Sequence, residues 1–177
     1  MRTLVVAAAL LVIPVSTLAQ TATDRSLTER IQRLDDRAAL KNLVDTFSNL
    51  ADQKDVQKQV LLFTEDATVD SITDGKPSST LKGREQIGKA FAAYLANFET
   101  VYHINGQQTV ELRGDSATGT SYCLVVLIGV ENGKRVKNTS GVYYNDEYVR
   151  RGNNWLISKR VSHFTWRDRD EMSQPPR

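Results

Sequence analysis

Apolar residues recur at Leu27, Ile31, Leu34, Ala38, Leu43, Val44, Phe47 and Leu50. That spacing is close to the helical period and predicts one long amphipathic helix with a single buried stripe. Ser26 and Glu29 have capping-box spacing and mark its start. Asp52-Gln53-Lys54-Asp55 breaks the stripe, and Val56 to Phe63 reads as a second short helix with Val60, Leu61 and Phe63 on its apolar side. Ala67 to Ile72 is a short strand, and Thr73 to Ser79 is a turn-rich loop. Arg84 to Asn97 is a third helix on which Ile87, Phe91, Tyr94 and Leu95 face one way. From Glu99 the character changes to β. Strands are predicted near 100–113, 116–131, 135–150 and 154–166, with Gly114-Asp115, Glu131-Asn132-Gly133 and Arg151-Gly152-Asn153-Asn154 as hairpin turns. Helices first and an antiparallel sheet afterwards make an α+β protein.

The chain has 177 residues, 40% of them hydrophobic, which suits one domain with an ordinary core. Met1 to Ala19 reads as a secretory signal, with basic Arg2, an apolar run from Leu4 to Val15 and the small-residue end Thr17-Leu18-Ala19. The alternative, an uncleaved membrane anchor, sits poorly with so short an apolar core. The expected organisation is therefore a signal segment (1–19), a linker and the start of the first helix (20–34), the folded domain (35–167) and a frayed charged tail (168–177). Export places the mature protein in the periplasm or outside the cell. Loss of Arg2 leaves 22 basic against 21 acidic side chains, a balance that argues against nucleic acid as partner. Cys123 is the only cysteine, so no internal disulfide forms. Its apolar setting, Tyr122-Cys123-Leu124-Val125-Val126, suits a small buried hydrophobe rather than a reactive thiol.

Two positions carry candidate chemistry. Asp52 closes the first helix with an acid, and His103 lies in the first long strand. If they meet in a cavity, they form a carboxylate–imidazole pair able to move protons near neutral pH. The plain alternatives are a polar helix end contacting Lys54 or solvent, and a core histidine bonded to backbone. Proton abstraction beside a carbonyl also needs a donor for the developing oxyanion, and Tyr122, Tyr144, Tyr102 and Arg160 are candidates. By strand parity His103, Asn105 and Gln107 share one face, and Arg160, Ser162, Phe164 and Trp166 share another. Trp166 either closes the cavity or caps the sheet edge. His163 reads as structural or exposed. Paired cysteines, an H-E-x-x-H string, clustered acids at ligand spacing, G-x-G-x-x-G and the P-loop are all missing, so no metal or nucleotide cofactor is indicated.

Several strings, in order, resemble a known family. Leu62-Phe63-Thr64-Glu65-Asp66-Ala67-Thr68-Val69 leads into the first strand, and Leu81-Lys82-Gly83-Arg84-Glu85-Gln86-Ile87 opens a helix. Gly141-Val142-Tyr143-Tyr144 and Trp155-Leu156-Ile157-Ser158-Lys159-Arg160 form paired late strands. From Asp36 to Trp166 the chain resembles the SnoaL-like branch of the nuclear-transport-factor-2-like superfamily. The resemblance implies a cone-shaped barrel, a strongly bent, mainly antiparallel sheet closed by three N-terminal helices around an internal pocket. It also implies small, mostly apolar ligands and homodimers formed through the sheet. Asp52 and His103 fall where scytalone dehydratase and related lyases hold their acid and histidine. Arg160 lies near where a bile-acid dehydratase places a pocket arginine. There are departures: Ala51 stands where the lyases have a nearby tyrosine, a second pocket histidine falls near Cys123, and the ketosteroid isomerase base falls near Ser71.

These observations imply a cofactor-independent lyase or isomerase using Asp52 and His103 as catalytic residues, with Tyr122, Tyr144, Arg160 and Trp166 around a small hydrophobic carbonyl or hydroxy compound. The alternative is a non-catalytic binding domain using the same pocket. A purely structural dimer module is a third reading.

Overall fold

The computed structural model describes residues 15–173. The expected signal segment lies, over 1–14, outside the described residues. Among those described, no helix is long and apolar enough to cross a membrane. The chain divides into two compact units, 1–36 and 37–177.

As far as it is described, the first unit is helix alone. Helix α1 spans Val15–Asp52 and runs from this unit into the next. The residues expected to form a linker are therefore helical, and Ser26 lies within the helix rather than capping it, because the chain before it is already helical. Of the predicted stripe Leu43, Val44 and Phe47 are buried, while Leu27, Ile31, Leu34 and Ala38 are exposed.

The second unit begins with the rest of α1. A left-handed Lys54 (φ 57°) ends this helix. Lys54 N–H donates to Ala51 O and Asp55 N–H to Leu50 O, both at 2.9 Å. This is a Schellman cap, with lysine in the place usually taken by glycine. Asp55 then caps the short helix α2 (Val56–Gln59), which tightens into a 3-10 turn (Val60–Leu62). The elements that follow are β1 (Phe63–Thr73), β2 (Lys76–Lys82), α3 (Gly83–Leu95), β3 (Thr100–Arg113), β4 (Ser116–Glu131), β5 (Lys134–Arg151) and β6 (Asn154–Glu171).

The six strands form one sheet in the order β2-β1-β6-β5-β4-β3. Only β1 and β6 run parallel. The sheet is open, with β2 and β3 at its edges, so the expected barrel closure does not occur. Nor do all three helices come first, since α3 follows two strands. Thr73 to Ser79, expected as a loop, is a hairpin into β2. Its Asp74-Gly75 turn has φ of +51° and +73° at the two central residues, as a two-residue hairpin turn requires. Exposed, polar β2 carries Pro77, which only an edge strand or bulge accommodates. The expected frayed tail is β-strand as far as Glu171. Its alternating charges are cross-strand partners: Arg169 pairs with Glu131, Lys137 with Asp170 and Lys134 with Glu171.

The core has two parts, both on the inner face of the sheet. Leu40, Val44, Phe63, Ile87, Tyr148, Trp155 and Ile157 belong to one. Ala51, Val101, Cys123, Val125, Leu127, Val142 and Tyr144 belong to the other. Three irregularities decide which side chains reach that face. In β3, Gly106 and Gln107 form a bulge, so the register passes from Asn105↔Cys123 to Gln108↔Ser121. Asn105 and Gln108, rather than Gln107, therefore continue the face of His103. In β6 the register slips at Ser158 and again at Thr165, and each slip reverses the parity beyond it.

Candidate functional site

A ladder of polar contacts sets β3 against the second half of α1. Arg37 donates to Val110 O (2.9 Å), Gln108 to Leu40 O (3.3 Å), and Asn105 to Val44 O (3.3 Å) and to the Asp45 carboxylate (3.0 Å). From Arg37 to Asp52 the helix rises about 22 Å, and from Val110 to His103 the strand spans about 23 Å. The two elements thus stay in step, and the ladder ends where Asp52 meets His103.

His103 Nδ1 lies 2.6 Å from Asp52 Oδ1, and the His103 backbone N–H donates to Oδ2 at 3.2 Å. The His103 side chain is 8% exposed. With a neutral ring, Nδ1–H donates to the carboxylate, so Nε2 is the nitrogen with a free lone pair. Nε2 takes no hydrogen bond from the described residues.

His103 lines a cavity of about 660 Å³ on the inner face of the sheet, with walls that include Phe47, Ala51, Phe91, Leu127 and Phe164. Arg160 forms part of the same wall. Its side chain is fully buried between the rings of Phe47 and Tyr144, with Cζ 4.2 Å from each centroid. It grips Asp146 through Nε (2.8 Å) and Nη2 (2.7 Å). Tyr148 donates to the same carboxylate at 2.8 Å. Burial works against the guanidinium's charge, but the Asp146 carboxylate outweighs it and holds Arg160 ionised. Arg160 Nη1 has no partner. Burial raises the Tyr144 phenol well above the ordinary tyrosine range, so this ring presents a neutral hydroxyl.

The structure brings Asp52, His103, Tyr144 and Arg160 to one region. Tyr122 and Trp166 are not among them. Tyr122 pairs across the strands with Tyr143 and that residue with His163, and all three rings stand on the outer face. Tyr122 is 53% exposed, and His163 stacks on Tyr143 at 4.3 Å. The slip at Thr165 places Trp166 opposite Gly141 on that outer face. A Cβ on Gly141 would stand 2.0 Å from the Trp166 indole nitrogen. Tyr102, the other tyrosine considered as a donor, is exposed as well.

Two lining residues escaped the sequence reading. Gln59 is buried, donates Nε2 to Phe47 O (3.1 Å) and keeps an unpartnered Oε1. Gln59 shares the short α2 with Gln57 and Lys58, so no local pattern singled it out. Arg167, the last residue of the expected folded domain, also lines the cavity. Cys123 is buried, as expected of a small hydrophobe, and burial pushes its thiol up to about 11.

Residues 32–161 match the SnoaL-like domain family. An uncharacterised protein of Mycobacterium tuberculosis strain H37Rv is 27% identical over 139 residues, covering 78% of this chain and 90% of that protein. A protein of Novosphingobium aromaticivorans provisionally assigned as a scytalone dehydratase superposes with a TM-score of 0.67 at 18% identity, covering 77% of this chain and 88% of that one. A type 2 hexachlorocyclohexane dehydrochlorinase (LinA) gives a TM-score of 0.66 at 20% identity, with coverages of 83% and 98%. The matched span and the shared fold agree, and the chain belongs to the SnoaL-like domain family.

Proposed function

We propose that this chain is a cofactor-independent lyase or isomerase acting on a small hydrophobic carbonyl or hydroxy compound. The observation that carries the proposal is the 2.6 Å contact between Asp52 and His103 at the wall of an apolar cavity. Neighbours of the same fold bear the names dehydratase and dehydrochlorinase, and both names describe eliminations.

In the dehydratase form, His103 Nε2 takes a proton from the carbon beside the substrate carbonyl. The electron pair moves onto the carbonyl oxygen. Asp52 holds the ring in the Nδ1–H tautomer and stabilises the imidazolium that forms. Arg160 Nη1 and the neutral Tyr144 hydroxyl are the donors available to the oxyanion. Collapse of the enolate forms the C=C bond and breaks the C–O bond, and the imidazolium proton leaves with the hydroxyl as water. The test is to incubate the protein with cyclic β-hydroxy ketones and follow loss of water by mass spectrometry. Turnover by wild type that disappears in His103→Ala supports the reading, and equal turnover by both removes His103 from the mechanism.

A second reading, a non-catalytic binding domain, is favoured by Ala51 and Cys123, which put no further acid–base group beside the pair. It predicts a ligand that raises thermal stability and is recovered unchanged.

Export to the periplasm or medium is part of the proposal and rests on the signal-like residues 1–19. So is a homodimer through the outer sheet face, which the exposed Tyr102, Ile104, Tyr122, Val130 and Trp166 support. Sedimentation of the mature protein at a monomer mass would remove the dimer.

A further inference from the structure

The slip at Thr165 does more than turn Trp166 outward. It also brings Arg167 onto the inner face opposite Ser140. Ser140 pairs with Val125 and Val125 with His103, so Arg167 and His103 occupy one row across four strands, about 14 Å apart at the backbone. Both line the cavity. The Arg167 guanidinium lies over the Phe164 ring at 4.7 Å, a cation–π contact that leaves its N–H groups free for a ligand.

Arg167 stands out among the charged groups of this wall. Arg160 is bound by Asp146. Glu131, the acid that lines the cavity beside it, accepts from Arg169 (3.0 Å) and Asn138 (3.2 Å). No carboxylate of the described residues lies within ion-pair reach of Arg167. Tyr94 of α3 also lines this part of the cavity. Burial raises its phenol and the Arg167 charge opposes that shift, so Tyr94 is a neutral group within the arginine's field.

We propose that Arg167 anchors the carboxylate of an apolar carboxylic acid whose hydrocarbon body lies over Phe164 and Leu127 and extends toward His103. This deepens the lyase reading, on which it rests for the role of the cavity, by giving the ligand an acidic head at the end away from the reacting carbon. A guanidinium and a carboxylate form charge-assisted, often bidentate bonds, and apolar walls exclude a highly hydrated anion without a hydrocarbon body.

The experiment is a calorimetric titration of the full chain with 4-cyclohexylbenzoate and, separately, with neutral 4-cyclohexylbenzamide. Wild type is expected to bind the acid about tenfold more tightly, a preference that shrinks as salt rises because the pair is partly exposed. Arg167→Gln is expected to abolish the preference while leaving amide affinity unchanged, and Arg167→Lys to retain part of it. Arg167 is exposed and packs on Phe164 alone among the described rings, so both variants should fold, which their melting temperatures check. Equal binding of acid and amide, binding of neither, or a preference that survives Arg167→Gln overturns the proposal. No turnover enters the readout. An inactive His103 with an intact acid preference sinks the lyase reading alone, and dehydration of neutral hydroxy ketones without an acid preference sinks the anchor alone.

Discussion

The Asp52 carboxylate is held twice by His103, by ring Nδ1 at 2.6 Å and by the backbone N–H at 3.2 Å. The backbone bond fixes the carboxylate, and the carboxylate in turn fixes the ring. Asp52→Asn should break this one-way arrangement, because an amide can turn its NH₂ toward Nδ1 and drive the proton to Nε2. Nitrogen-15 NMR of the ring is expected to show Nδ1–H in wild type and a substantial Nε2–H population in the variant. An Nε2–H ring in wild type would contradict the assigned roles. On a turned-over substrate the variant should lose about 10²- to 10⁴-fold in kcat.

Arg160 and Asp146 are matched charges in a fully buried setting, 1% and 0% exposed. Removing one leaves the other without a partner. Asp146→Ala is expected to cost about 3–5 kcal/mol in urea unfolding. Tyr148→Phe, which removes one donor to a charged acceptor, should cost about 1.5–3 kcal/mol. A loss under 1 kcal/mol for Asp146→Ala would mean that the pair is not buried as described.

Burial shifts the Cys123 thiol from 9.0 to about 11. The native thiol therefore stays protonated while the unfolded one ionises. This contribution to stability is complete below about pH 9 and is lost as pH rises toward 11. Cys123→Ala should flatten that part of the stability–pH curve. Native protein at pH 8 should react with a disulfide reagent far more slowly than urea-unfolded protein. Equal rates would refute the burial argument.

Gly141 lies beneath the Trp166 indole, where an added Cβ would stand 2.0 Å from the ring nitrogen. Gly141→Ala must lift the ring, at a cost of about 1–3 kcal/mol, and should shift tryptophan fluorescence. Because the contact is on the outer face, ligand binding in the cavity should not change. A loss of binding would place Trp166 in the cavity after all.

Much of this arrangement was legible in the sequence. The hairpin turns were, because residues such as Asn132 (φ 52°) and Gly133 (φ 78°) carry the backbone chemistry that turns need. The meeting of Asp52 with His103 was legible through family resemblance, and its register depends on a rise match between helix and strand that pattern alone does not reveal. The faces of β6 were not legible. Parity placed Trp166 beside Phe164, but the extra residue at Thr165 exchanges Trp166 for Arg167, and no local composition marks a bulge whose position depends on the partner strand. Tyr122 was misplaced because parity cannot choose the inner face without pairing. Strand β2 was hidden because an exposed edge needs no apolar alternation.

The proposed chemistry stands or falls on whether His103, oriented by Asp52, removes a proton from carbon. The most direct measurement needs no knowledge of the final product. A panel of small cyclic ketones and hydroxy ketones is incubated with the protein in D₂O, and loss of the proton signal beside the carbonyl is followed by NMR. Exchange above the buffer rate is expected for at least one apolar member of the panel, falling to the buffer rate in His103→Ala. Exchange at the buffer rate across the whole panel, or undiminished exchange in His103→Ala, would contradict the proposed chemistry.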